Sequence, residues 1–343
     1  MTAPTTSTAP HQARAALRQR LSAGELIVAP GVFDGISASL VARMDFAAAY
    51  LTGAGVAAAG FGLPDIGLLT QTEMAERARM ITRVLADVPL IADADTGYGA
   101  ALNVVRTVRE YEAAGVAAIQ LEDQAFPKRC GHLPDKELIS ADEFVVKLRA
   151  ALDARIDPDL LLIARTDARG PLGLDAAIER ANIYAAAGAD VIFVEAPQDV
   201  AEIERIASEV KAPLLINLVH GGLTPIESTQ RLAELGYAIA IHPTLPLGAA
   251  ALAMITALTD LSGQNPTPWI PTTPADFFNL VGLAEWSALA APRSECLESG
   301  FPDVQRPRIH FHGARDGARD GVADGARDGG RPGVRGEAGP AWA

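Results

Sequence analysis

The chain has 343 residues, 49% hydrophobic, 21% charged and 5% aromatic, a soluble globular balance that fits two modest domains or one large α/β barrel. Its formal net charge of −13 argues against nucleic-acid and anionic-membrane partners, because phosphate repels an acidic surface. Two cysteines, Cys130 and Cys296, are too few for a disulfide framework and fit a reducing cytoplasm.

Residues 1–10 are Thr, Ser, Ala and Pro without an apolar run, so no signal peptide is expected, and residues 1–15 read as a flexible lead-in. Eight short apolar runs follow as predicted strands, at 26–29, 47–52, 89–93, 117–121, 160–164, 190–194, 213–216 and 237–241. Amphipathic helical patterns at 72–85, 102–114, 141–154, 174–187 and 200–210 lie between them. Strict β–α alternation predicts a parallel sheet, and eight units predict a closed (β/α)8 TIM barrel. The barrel and its C-terminal helices are expected within 16–300. The Gly/Ala/Arg/Asp-rich stretch 301–343 is too poor in apolar residues to offset its ordering entropy, so it reads as a disordered tail. One uncharged segment, 46–64, has the length of a membrane span, but its Ala, Gly, Thr52 and Pro64 make it weakly hydropathic, and no span is expected.

Nearly every predicted strand ends in a polar residue: Asp34, Thr52, Asp93/Asp95, Glu122/Asp123, Arg165-Thr166-Asp167, Glu195, Asn217 and His242. In a TIM barrel the C-terminal rim is where active sites are built. Asp93 and Asp95 are two apart on a strand, so both carboxylates share a face and repel unless a cation lies between them. Hard oxygen donors suit Mg²⁺ or Mn²⁺. Glu122 and Asp65 are the further candidate ligands. Cys130 lies in Lys128-Arg129-Cys130-Gly131-His132, where two cations and an imidazole should lower the thiol pKa and favour proton transfer. Cys296 has no such setting and reads as inert. Arg165 is placed to clamp a carboxylate or to pair with a rim acid. Thr52-Gly53-Ala54-Gly55 offers a hydroxyl and bare N–H groups for a second carboxylate, and Tyr50 shares the face of Thr52 as an acid–base or hydrogen-bonding candidate. Gly53 to Ala58 also matches the dinucleotide fingerprint G-x-G-x-x-A. A Gly/Pro-rich loop follows it, with the next helix expected only near Thr72, so the fingerprint is rejected.

Five motifs together resemble the isocitrate lyase/phosphoenolpyruvate mutase superfamily: Gly62-Leu63-Pro64-Asp65, Asp93-Ala94-Asp95-Thr96-Gly97-Tyr98-Gly99, Glu122-Asp123-Gln124, Lys128-Arg129-Cys130-Gly131-His132 and Ala164-Arg165-Thr166-Asp167. The likeness spans residues 29–290, and Lys-Arg-Cys-Gly-His points to the carbon–carbon lyase side, methylisocitrate lyase-like. The resemblance implies a Mg²⁺-dependent barrel, usually tetrameric, whose last helix is exchanged between subunits. Residues 277–289 fit that helix, opened by Thr273 as N-cap, Pro274 at N1 and Asp276 at N3. It also implies cleavage of a 2-hydroxy di- or tricarboxylate to pyruvate and a dicarboxylate such as succinate. Tyr50 or a rim carboxylate would take the hydroxyl proton, and Cys130, beside His132, would protonate the carbanion under a closed loop. Arg165, Glu195, Asn217 and the Gly131–His132 region would hold the second carboxylate.

The chain departs from the methylisocitrate lyase pattern at Leu133 and Asp135, where that pattern has Arg and Asn, and at His220 and His242, where it has Glu and Tyr. A carboxyphosphonoenolpyruvate mutase-like rearrangement, a dimethylmalate lyase-like cleavage and an oxaloacetate decarboxylase-like reaction therefore stay open. Rivals from other classes are a non-catalytic carboxylate-binding barrel and a nucleotide-dependent oxidoreductase.

Overall fold

The computed structural model describes residues 9–263 and 273–290. The strands are β1 Ile27–Val32, β2 Ala49–Leu51, β3 Leu90–Asp93, β4 Ala118–Glu122, β5 Leu161–Thr166, β6 Val191–Val194, β7 Leu214–Asn217 and β8 Tyr237–His242. All pair in parallel in the order β1 to β8, and β8 closes on β1. The helices are α1 Ala9–Ala23, α2 Gly35–Ala42, α3 Gly53–Val56, α4 Gln71–Leu85, α5 Ala101–Ala113, α6 Ala141–Ala154, α7 Arg169–Leu172, α8 Leu174–Ala186, α9 Val200–Glu209, α10 Thr229–Glu234, α11 Leu245–Ser262, α12 Pro274–Asn279 and α13 Leu283–Ala290. The predicted tail 301–343 and Cys296 lie outside the described residues.

The strands read as nearly unbroken apolar runs because both faces are buried. Ile91, Ala118, Leu161, Ile163, Val191, Phe193, Leu215, Ile239 and Ile241 fill the barrel interior. Their neighbours in sequence, such as Ala92, Ile119, Leu162, Ile192 and Ile216, pack outward against the helices. This period of two continues to the strand ends. The inward set therefore goes on as Asp93 after Ile91, Gln120 and Glu122 after Ala118, Arg165 after Ile163, Glu195 after Phe193 and Asn217 after Leu215. Asp123 and Thr166 have the opposite parity and face the helices.

Helix starts follow their caps: Asp34 for α2, the Thr70–Glu73 box for α4, Ser140 for α6, Asp199 for α9 and Ser228 for α10. Three expectations are corrected. The lead-in 1–15 is helical from Ala9, because Leu17 of α1 is fully buried in the interior cluster and Arg14 is held by backbone carbonyls. The next helix, expected only near Thr72, is preceded by a short one that begins right after Thr52. Thr52 accepts from the Gly55 N–H at 3.1 Å, α3 opens on Gly53, and a π-helical turn Ala57–Phe61 ends at Gly62 with φ 65°. The predicted helix 277–289 is split into α12 and α13, because Asn279 caps the second piece through Ala284 and Gly282 takes φ 90°.

Helix α11 is long and apolar enough to cross a membrane by length and composition, and none of its residues is buried. Leu252, Met254 and Leu258 are each more than half exposed.

Arg14 ties α1 to the rest of the barrel. Its Nε donates to the Val116 carbonyl at 2.9 Å, and NH1 meets Asp157 at 3.0 Å. Breaking such a buried pair costs about 3–5 kcal/mol. Arg14→Met is therefore expected to lose about that much unfolding free energy in urea; a loss below about 1 kcal/mol, the size of an ordinary surface effect, would contradict this role.

Candidate active site

The inward parity delivers Tyr50, Asp93, Gln120, Glu122, Arg165, Glu195 and Asn217 to one end of the barrel. Register sets them side by side: Asp93 aligns with Gln120, and Glu122 with Arg165. Arg165 is the hub. Its Nε and NH2 donate to Asp167 at 2.9 and 3.0 Å, NH1 lies 3.3 Å from Glu122, and NH2 lies 3.6 Å from Glu195. The guanidinium stacks 5.1 Å over the Phe193 ring. Burial opposes its charge, but Asp167, Glu122 and Glu195 outweigh burial and hold it protonated. Of the two readings open for Arg165, pairing with rim acids is the one its geometry displays.

The four candidate metal ligands surround the Lys128 ammonium. Lys128 Nζ lies 3.0 Å from Asp95 Oδ1 and also donates to Asp65. Burial works against this charge, and Asp95 and Asp65 restore it. Asp93 is pushed up to about 6, first by burial and then by Asp95. Burial raises Glu122 as well, and its Oε1 is buried without a hydrogen-bond partner. Among the described residues, the trio of metal-type donors that come within 4.8 Å of one another is His11, Asp157 and Asp159 instead. That trio is already matched by Arg14 on Asp157 and Arg18 on Asp159. The rim acids are the set left short of positive charge: among the described residues, the Lys and Arg side chains that pair with Asp65, Asp93, Asp95, Glu122, Asp167 and Glu195 are Lys128, Lys136 and Arg165. An orphaned carboxylate oxygen and an all-oxygen donor set fit a hard divalent cation there.

The loop after β4 lies over this mouth. Gln124 donates to the Arg129 carbonyl at 2.8 Å and accepts the Arg129 N–H at 2.9 Å. The Cys130 N–H donates to the Asp65 carbonyl at 3.1 Å. Lys136 donates to the Gly131 carbonyl and reaches Asp167 at 3.2 Å. Gly131 must be glycine, since a Cβ would sit 2.4 Å from Arg165 NH2 and 2.5 Å from Glu195 Cγ. His132 Nδ1 accepts the Leu223 N–H at 3.1 Å, so Nε2 carries the proton and faces Glu195 Oε1 at 3.2 Å. Burial lowers the His132 pKa and keeps it neutral. Asn217 Nδ2 donates to Glu195 at 3.3 Å, and its Oδ1 is buried without a partner.

Cys130 corrects an expectation. Its thiol is raised, not lowered, by burial and then by Asp65. Lys128 spends its charge on Asp65 and Asp95, and Arg129 is exposed. Tyr50 is likewise raised by burial and by Asp93, which disfavours it as a base; its hydroxyl donates to Gln120 Oε1 at 2.9 Å. Asp34 and Thr52 serve as helix caps, and Gly53 N–H donates to Asp93 at 3.3 Å, with Ala54 beside it in α3. Asp123 turns away from the mouth, accepting from Thr166, Tyr184 and Arg180. His242 Nδ1 is buried without a partner, and burial and His220 lower its pKa. Gln120 and Lys136 were not foreseen. Gln120 could have been found from its place two residues before Glu122, on the same strand face.

The family model for "Phosphoenolpyruvate phosphomutase" matches residues 17–262. The chain belongs to the phosphoenolpyruvate mutase/isocitrate lyase superfamily and is an enzyme of it. It is 47% identical over 272 residues, 78% of this chain and 94% of the relative, to "2,3-dimethylmalate lyase" of Eubacterium barkeri. It is 44% identical over 273 residues, 79% of this chain and 87% of the relative, to "2-methylisocitrate lyase" of Aeropyrum pernix. A crystal structure of a 2,3-dimethylmalate lyase superposes with TM-score 0.79 at 38% identity, covering 85% of this chain and 99% of that one. A phosphonopyruvate hydrolase in complex with oxalate and Mg²⁺ superposes with TM-score 0.73 at 30% identity, covering 82% and 99%.

The raised thiol gives a direct check. The thiolate is the reactive form. Alkylation of Cys130 by iodoacetamide, mapped by mass spectrometry, should therefore accelerate only as pH climbs past the ordinary thiol value of about 8.5. A midpoint below that value would contradict the assignment.

Proposed function

We propose that the protein is a divalent-cation-dependent carbon–carbon lyase that cleaves a branched 2-hydroxy dicarboxylate to pyruvate and a shorter carboxylate. The observation that carries this reading is Cys130 held, half-buried, on the loop over a mouth rich in carboxylates. Asp93, Asp95 and Glu122, with Asp65 beyond Lys128, would hold Mg²⁺ or Mn²⁺. The bound cation supplies Lewis acidity toward the oxygens of the 2-hydroxy acid.

The chain's own groups do the rest. A rim carboxylate takes the hydroxyl proton, because Tyr50 keeps its own and only donates. The C2–C3 bond then breaks, its electron pair staying on the leaving fragment. For 2,3-dimethylmalate the products are pyruvate and the propanoate carbanion. Cys130, a weak acid by virtue of its burial, delivers the proton that completes propanoate. The loop pinned by Lys128 and Lys136 keeps water from competing for that carbanion. Asn217 and the Gly131–His132 turn, held in place by Glu195 and by Arg165 behind it, receive the second carboxylate.

A dicarboxylate suits this mouth better than a tricarboxylate. Lys128, Lys136 and Arg165 are already paired with acids, and Leu133 adds no charge where a cation would serve a third carboxylate. The relative at 47% identity carries the name of an enzyme for such a dicarboxylate.

The exposed apolar side chains of α11, with Phe278 and Trp286 of α12 and α13, support assembly into a homotetramer through these helices. The two cysteines support residence in the cytoplasm.

A panel of 2,3-dimethylmalate, 2-methylisocitrate, isocitrate, oxaloacetate and phosphonopyruvate with Mg²⁺, read by 2-oxo acid release and by loss of substrate, tests the chemistry. The expected result is turnover of dimethylmalate above the tricarboxylates, abolished in Cys130→Ser. Consumption of phosphonopyruvate alone, or full activity in Cys130→Ser, would overturn the reading. For the assembly, Leu252→Glu with Leu258→Glu should turn a tetrameric mass by light scattering into a smaller species; an unchanged mass would remove α11 from the interface.

A further inference from the structure

Gln120 is fully buried on the inner face of β4 and stands in register opposite Asp93 of β3. Its side chain bridges two groups. Oε1 accepts from the Tyr50 hydroxyl at 2.9 Å, and Nε2 donates to Asp93 Oδ1 at 3.3 Å. Asp93 Oδ1 also accepts the Asp95 N–H at 3.1 Å, and Oδ2 accepts the Gly53 N–H at 3.3 Å. Both oxygens are thus fixed by neutral donors, and Oδ2, which accepts one hydrogen bond, has acceptor capacity left over for a further partner.

We propose that Gln120 is a positioning residue that sets the metal-facing geometry of Asp93, with Tyr50 fixing which end of the Gln120 amide faces the carboxylate. The two ends of an amide have nearly the same shape and opposite chemistry. With Tyr50 donating to Oε1, only the NH₂ end is left for Asp93. Turned over, the amide would set an acceptor against a carboxylate oxygen, and the tyrosine proton would lose its partner in a fully buried place. Such a mismatch is costly because neither group can turn to water. The hydroxyl of Tyr50 therefore acts on Asp93 through Gln120, without touching the carboxylate.

This inference rests on the reading that Asp93 holds a divalent cation. Partners that orient a metal ligand are worth roughly 10–100-fold in metal affinity. The test is a calorimetric titration of Mn²⁺ into metal-stripped full-length protein, without substrate, for wild type, Asp93→Asn, Gln120→Leu and Tyr50→Phe. Wild type should bind, and Asp93→Asn should lose binding. Gln120→Leu should bind about 10–100-fold more weakly. Tyr50→Phe, which removes one oxygen and keeps the ring packing, should weaken binding in the same direction by a smaller factor. It also serves as the deciding variant if Gln120→Leu does not fold. Wild type binding no better than Asp93→Asn would overturn the metal reading itself. A wild type that binds, an Asp93→Asn that does not, and Gln120 and Tyr50 variants within about twofold of wild type would overturn this inference alone.

Discussion

Six carboxylates are gathered at the mouth of the barrel around three cationic side chains. This surplus of buried negative charge is the constraint on which the rest of the arrangement depends. Desolvation makes each of these charges expensive, so each is either paired or left waiting for a partner. Arg165 answers Asp167, Glu122 and Glu195 together. Lys128 and Lys136 come from the loop above and so bind that loop to the mouth. The pairing that neutralises the acids also covers the site. What it leaves over is an orphaned Glu122 oxygen and an Asp93 pushed up to about 6.

The same surplus explains the thiol. A lone cysteine beside lysine and arginine would ordinarily be a nucleophile. Here the lysine faces the acids and the arginine faces solvent, so Cys130 sees burial and Asp65 instead. Both favour the protonated thiol, which is the proton donor in the proposed cleavage. A donor is what a carbon–carbon cleavage needs at its last step, and a closed loop is what protects the carbanion until that step.

Much of this was legible in the sequence, for physical reasons. The strands were legible because a parallel barrel buries both strand faces, which gives apolar runs that no loop imitates. Asp93, Glu122, Arg165, Glu195 and Asn217 were legible because period-two alternation carries the interior face to the rim. Asp34 and Thr52 were misleading, since a strand-end polar residue also caps the helix that follows. Asp123 was misleading because rim position alone does not give facing; parity does. The Cys130 pKa was not legible, because it depends on where two neighbouring cations point. Helix α1 was hidden because Arg14 and Leu17 gain their partners only in the closed barrel, Arg14 from Glu112, Val116 and Asp157 far along the chain. Gln120 carries no charge and lies inside an apolar run, so nothing in composition marks it.

The most direct test of the charge account is crystallographic. Crystals grown with Mn²⁺ should show an anomalous peak at the mouth, in contact with Asp93 and Asp95 and close to the free oxygen of Glu122. A peak confined to His11, Asp157 and Asp159, or a mouth without a peak at saturating Mn²⁺, would contradict it.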